Sequence, residues 1–171
     1  MTDTTAPPAI GATTPDTGLA DHVQRANANG IEIAYETFGD PADPAILLVM
    51  GLGTQMLAWR DDMCTALADA GHYVIRYDNR DVGLSTHIDA PVPKLTDMVL
   101  KRGAPYSIAD MANDAFGLLD ALGIDRFHLV GASMGGMIAQ TIALAQPRRV
   151  LTLTLIMTSN AGAREAAAGA L

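Results

Sequence analysis

The sequence predicts an α/β fold: a mostly parallel sheet with helices packed on both faces. Three observations carry this. Short β-rich runs alternate with segments whose apolar residues recur at helical spacing. One run, Ala45 to Met50, is apolar throughout, as in a strand covered on both sides. Glycine or proline stands at most of the joints.

The elements follow in order. Residues 1–26 are rich in Thr, Ala, Pro and Asp, too poor in apolar side chains to offset ordering entropy, and are expected to be a disordered tail. Residues 27–171 are expected to form one domain. Ile31, Ile33 and Tyr35 alternate with Glu32, Ala34 and Glu36, which predicts a strand with one wet face, ended by Gly39-Asp40-Pro41. After the Ala45–Met50 strand, Trp59, Met63, Leu67 and Ala70 recur at helical spacing and Gly71 closes the helix. Tyr73 to Tyr77 is β-branched and aromatic, hence a strand. Ser107-x-x-Asp110 has the form of a capping box, and behind it Ile108, Met111, Ala112, Ala115, Leu118, Leu119 and Leu122 make one apolar helical stripe that stops at Gly123. Phe127–Val130 reads as a strand, Met134–Gln146 as a helix stopped by Pro147, and Val150–Ile156 as a further strand.

Composition excludes several functions. The chain has 171 residues, 49% hydrophobic and 18% charged, enough for a real core. Nineteen acidic residues against 11 basic ones give a net charge of −8, which argues against nucleic acid and against an anionic membrane surface. The single cysteine, Cys64, excludes an internal disulfide and a multi-cysteine zinc site, and its place in a helix suits a small buried apolar residue. No apolar run spans a bilayer, and Met1–Ala20 carries Asp3 and Asp16 without Lys or Arg, unlike a signal peptide, so a cytoplasmic protein is expected. The glycines match no nucleotide-binding spacing, and no metal or other cofactor is expected.

One motif carries chemistry: Gly131-Ala132-Ser133-Met134-Gly135, a G-x-S-x-G directly after a strand and directly before a helix. So tight a turn strains the serine and thrusts its hydroxyl into the crevice at the carboxyl end of the sheet, where ligands of such folds bind. Neighbours two residues away on each side come too close for side chains, so both are glycine. The bland readings are a flexible Gly-Ser turn, or Ser133 as a simple helix N-cap.

Together with Leu48-Val49-Met50-Gly51-Leu52-Gly53 and Asp78-Asn79-Arg80-Asp81-Val82-Gly83-Leu84-Ser85, this motif resembles the α/β-hydrolase family, from about Ile31 to Ile156. The Val-Met-Gly and Tyr-Asp-x-Arg-Asp stretches are similar to the aclacinomycin methylesterase-like subgroup. Met50 stands where the broader family has a loop histidine, and Asp81 where it has a glycine. The resemblance implies that Ser133 attacks an acyl carbon and that the backbone amides of Leu52 and Met134 hold the oxyanion. It also implies a small-molecule ester, lactone or thioester substrate. A hydrolase-like binding or signalling protein is the alternative. Asp78, Arg80 and Asp81 are expected to pair with one another and with the turn backbone, and Asp61 and Asp62 to be a solvated helix start.

The family's chain order is Ser, then Asp or Glu, then His. After Ser133 there is no His and no Asp, only Glu165. His22 lies in the expected tail, His72 at the wrong end of a strand, His128 inside a strand; His87, nearest the active rim, does not match the family's position. The expectation is a chain that stops after the sixth of eight strands and turns over inefficiently alone. Strand 150–156 would then be an uncovered apolar edge, prone to self-association.

Overall fold

The computed structural model describes residues 22–89 and 105–160. These form β1 (Gln24–Ala28), β2 (Ile31–Phe38), β3 (Ala45–Val49), a 3₁₀ turn (Met56–Ala58), α1 (Asp61–Asp69), β4 (Tyr73–Tyr77), α2 (Ile108–Ala121), β5 (Phe127–Ala132), α3 (Met134–Ala145) and β6 (Val150–Ile156). One six-stranded sheet has the order β1-β2-β4-β3-β5-β6. β3 runs parallel to β4 and β5, and β5 to β6, while β1 and β2 are antiparallel additions.

β1 corrects the expected tail boundary. Residues 24–26, expected in the tail, belong to a strand, because Asn29 (φ 51°) and Gly30 (φ 80°) make a two-residue hairpin that folds β1 back onto β2. An Asn-Gly pair adopts this turn readily, since both central residues need positive φ. Residues 1–21, the rest of that expectation, lie outside the described residues.

The two faces of the sheet follow from the strand period of two. Leu47 and Val49 of β3, with Ile33, Tyr35, Ile75, Tyr77 and Leu129, meet α2 and α3 in the larger core. Ile46, Leu48 and Val74 meet Cys64 of α1, and Trp59, on the other face. Helices thus cover both faces, as predicted.

The wet face predicted for β2 is only half right. Glu32 is exposed, but Ala34 and Glu36 are buried. Glu36 sits opposite Arg76 of β4 and accepts its Nε at 2.7 Å. Arg76 also reaches Asp61 at 2.6 Å and donates to the Trp59 carbonyl. Asp61 is therefore an ion-pair partner rather than merely a solvated helix start, whereas Asp62 pairs with exposed Arg60. The phase of α1 also shifts: the helix starts at Asp61, Trp59 precedes it, Met63 faces solvent and Cys64 faces the sheet.

α2 begins with the capping box read from Ser107 and Asp110, whose carboxylate accepts from the Ser107 amide at 2.7 Å. Those bonds hold the Asp110 carboxyl below its ordinary pKa. Gly123 (φ 70°) follows the helix end. β6 is the last strand of the described sheet, and its Leu151, Leu153 and Leu155 are exposed. No helix of the described residues is long and apolar enough to cross a membrane.

Candidate active site

The strand order reverses at β3: β4 lies on one side of it and β5 on the other. Loops leaving the carboxyl ends of β3, β4 and β5 diverge here and leave a crevice. The three motifs read from the sequence are those three loops.

The loop after β5 is a single residue, Ser133, with φ 55° and ψ −122°. Such a backbone costs about 1–3 kcal/mol and persists only where its surroundings impose it. They do so here. The Ser133 amide donates to the Ile156 carbonyl at 2.9 Å, and its carbonyl accepts from the Gly136 amide and the Thr158 hydroxyl. The side chain is exposed and makes no capping bond, which removes the N-cap reading.

The flanking glycines are explained by contact. A Cβ on Gly131 would lie 2.4 Å from the Gly135 carbonyl oxygen, and one on Gly135 would lie 2.2 Å from the Val49 carbonyl oxygen. Gly136, which the sequence reading passed over, is equally constrained: its Cβ would meet the Thr158 side chain at 2.6 Å. The run Gly135-Gly136 at a helix start was the available signal.

The loop after β3 closes on the serine. At Gly51 a Cβ would sit 3.1 Å from Ser133 Cβ and 3.4 Å from Ser133 Oγ. Leu52 follows in a turn, with its side chain exposed, and Met134 is the first residue of α3. Neither backbone amide donates to another described residue, and Met134 stands at a helix start, where unpaired amides suit an anion.

The turn after β4 holds the loop after β3 and is itself tied to α2. Asp78 is buried and accepts from the Met56 amide at 2.7 Å and the Leu84 amide at 2.9 Å. Gly83 leaves room for this carboxylate, because its Cβ would fall 2.0 Å from Asp78 Oδ2. Asn79 donates to the Met50 carbonyl at 2.9 Å. Arg80 makes a two-pronged pair with buried Asp114 of α2, both contacts 2.6 Å. The expectation that Asp78, Arg80 and Asp81 pair with one another is corrected: Asp78 binds backbone, and Arg80 finds its carboxylate on α2. Asp81 faces Tyr106, and burial together with that bond pushes the phenol up to about 12.

An open cleft runs between Gly53–Gln55, Leu57 and Ala58 on one wall and Asp81–Gly83 on the other. Ser133 is not part of its lining. None of the described histidines is hydrogen-bonded to the serine. His72 packs edge-on against His128, with ring centroids 5.7 Å apart, and His128 Nδ1 pairs with Thr152 Oγ1 at 2.8 Å. His87 bonds to the Gly83 carbonyl. His22 is exposed before β1. Glu165 lies outside the described residues.

Residues 44–169 match the model of the alpha/beta hydrolase fold family. The chain is 40% identical over 122 residues to the rhodomycin D methylesterase DauP of Streptomyces sp. (strain C5), covering 71% of this chain and 37% of that protein. It is 32% identical to 3-oxoadipate enol-lactonase 2 of Acinetobacter baylyi, covering 71% of this chain and 40% of the lactonase. Among solved structures, a hydrolase from Pseudomonas aeruginosa superposes with a TM-score of 0.67 at 33% identity, over 82% of this chain and 47% of that one. The methylesterase relative agrees with the subgroup resemblance read from Val49-Met50-Gly51 and Tyr77-Asp78. The chain spans about two fifths of the length of these curated relatives.

Proposed function

The chain belongs to the α/β-hydrolase fold family, and from that premise we propose that it carries the nucleophile of a hydrolase cleaving a carboxylic ester, lactone or thioester. Ser133 Oγ adds to the acyl carbon, the carbonyl π pair moves onto oxygen, and the hydroxyl proton passes to a base. The amides of Leu52 and Met134 hold the resulting oxyanion, and the loss of one such donor typically costs about 10²–10³ in rate. Collapse expels the alcohol or thiol, which takes a proton, and leaves acyl-Ser133. Water then repeats the sequence and frees the acid.

The observation that carries this reading is the strained, exposed Ser133 at the start of α3, with Gly51 against its side chain. Main-chain donors need no particular side chain, so Met50 in place of a loop histidine leaves them intact. No described histidine bonds to Ser133, so the base of this scheme is unassigned. The relatives named as a methylesterase and an enol-lactonase support acyl chemistry on a small molecule. Among the described residues β6 pairs only with β5, and its Leu151, Leu153 and Leu155 are exposed, which supports self-association through strand 150–156.

A fluorophosphonate probe tests the nucleophile. The full-length natural protein is expected to be labelled, and Ser133→Ala to lose the label. Equal labelling of the two would overturn the proposal in favour of a hydrolase-like binding or signalling protein.

A further inference from the structure

We propose that Asn79 is the positioning residue of the oxyanion loop, setting the direction of the Met50–Gly51 peptide through its bond to the Met50 carbonyl. This rests on the reading of Ser133 as a nucleophile. Asn79 is 2% exposed and lies in the turn after β4. Its Nδ2 lies 2.9 Å from the Met50 oxygen.

That oxygen has little freedom on its other side. A Cβ on Gly135 would be 2.7 Å from it, so the start of α3 presses against the same carbonyl. In a trans peptide the C=O and the following N–H point in opposite directions. Fixing the Met50 oxygen therefore fixes the plane of the Met50–Gly51 peptide, which immediately precedes the peptide carrying the Leu52 amide, and Gly51 is the residue against Ser133 Oγ. The far end of the loop is anchored separately, by Asp78 on the Met56 amide. Between the two anchors lies Leu52. With Asn79 removed, the loop keeps its Met56 anchor and the Thr54 amide on the Gly51 carbonyl but loses the side-chain bond to the Met50 carbonyl. Small misplacements of donors weaken transition-state binding more than ground-state binding.

The test uses Asn79→Asp, which keeps the shape but turns a donor into an acceptor against the carbonyl, and Asn79→Ala. Both are made in the full-length natural protein. Ester hydrolysis is measured per fluorophosphonate-titratable Ser133, so a loss of folded molecules does not enter. The second readout is inhibition by a trifluoromethyl ketone, whose carbon takes the Ser133 oxygen while its own oxygen becomes the anion. The expected result is a kcat lowered about 10- to 100-fold, with KM within about threefold and the inhibition constant raised by the same factor as kcat falls. Unchanged kcat and inhibition, or a raised KM alone, would overturn the role of Asn79 while sparing Ser133. Absence of Ser133 labelling in the wild type would remove both.

Discussion

The two rims of the sheet reach left-handed backbone conformations in different ways. At the amino rim, where β4 and β5 begin and β2 ends, the positive φ angles belong to Gly39, Gly71 and Gly123. At the carboxyl rim they belong to Asn29, Asp81, Ser133 and Met157 as well as to Gly30, Gly53 and Gly83. Among the described residues, every side-chain-bearing residue with positive φ stands at the carboxyl rim. Glycine makes such a turn without a Cβ clash and Asn or Asp at modest cost, whereas other residues, such as Ser133 and Met157, make it under strain. The amino rim uses the relaxed solution because it only has to turn the chain. The carboxyl rim retains strained residues, and the side chain of one of them, Ser133, is the proposed nucleophile.

Substitutions at three positions sharpen this contrast. Gly135→Ala is expected to have the largest effect, because the added carbon would lie 2.2 Å from the Val49 carbonyl oxygen. A loss of about 3 kcal/mol or more in urea unfolding is expected, with loss of probe labelling in what still folds. A mild effect would mean that β3 and α3 are less tightly apposed than described. Ser133→Gly and Ser133→Ala come next. Both abolish labelling, but the glycine variant is expected to be more stable than the alanine variant by about 1 kcal/mol, through relief of the strained corner. Equal stability would show that the corner stores no strain. Smallest in its effect on the site is Gly71→Ala at the amino rim. Its φ is 87° and no atom lies within 4 Å of the added carbon. It is expected to lower stability by about 1–2 kcal/mol through backbone strain alone and leave labelling unchanged. A loss of labelling there would erase the distinction between the rims.

Much of this fold was legible in local pattern. Ala45–Val49 reads as a doubly covered strand because all five residues are apolar, and all five are buried. The Ser107–Asp110 box and the G-x-S-x-G turn are short motifs with a fixed geometry, and both occur as read. What escaped is non-local or out of phase. Nothing near Arg80 in the chain announces Asp114, which only the packing of α2 brings within 2.6 Å. Arg76 and Glu36 share no periodicity, and each hides in a strand whose pattern predicts either an apolar or a wet position. Met63 and Cys64 are neighbours in one helix, and a stripe counted from Trp59 selects the wrong one, because Trp59 precedes the helix. β1 was lost to composition, although Asn29-Gly30 marked its turn.

Trp59 is the chain's single tryptophan, and it is 5% exposed. It directly follows the 3₁₀ turn that supplies Leu57 and Ala58 to the cleft. All indole fluorescence from this polypeptide therefore originates behind one wall of the crevice, in an apolar environment. Movement of that wall, whether on unfolding or on occupation of the cleft, is reported by a native fluorophore without any added dye.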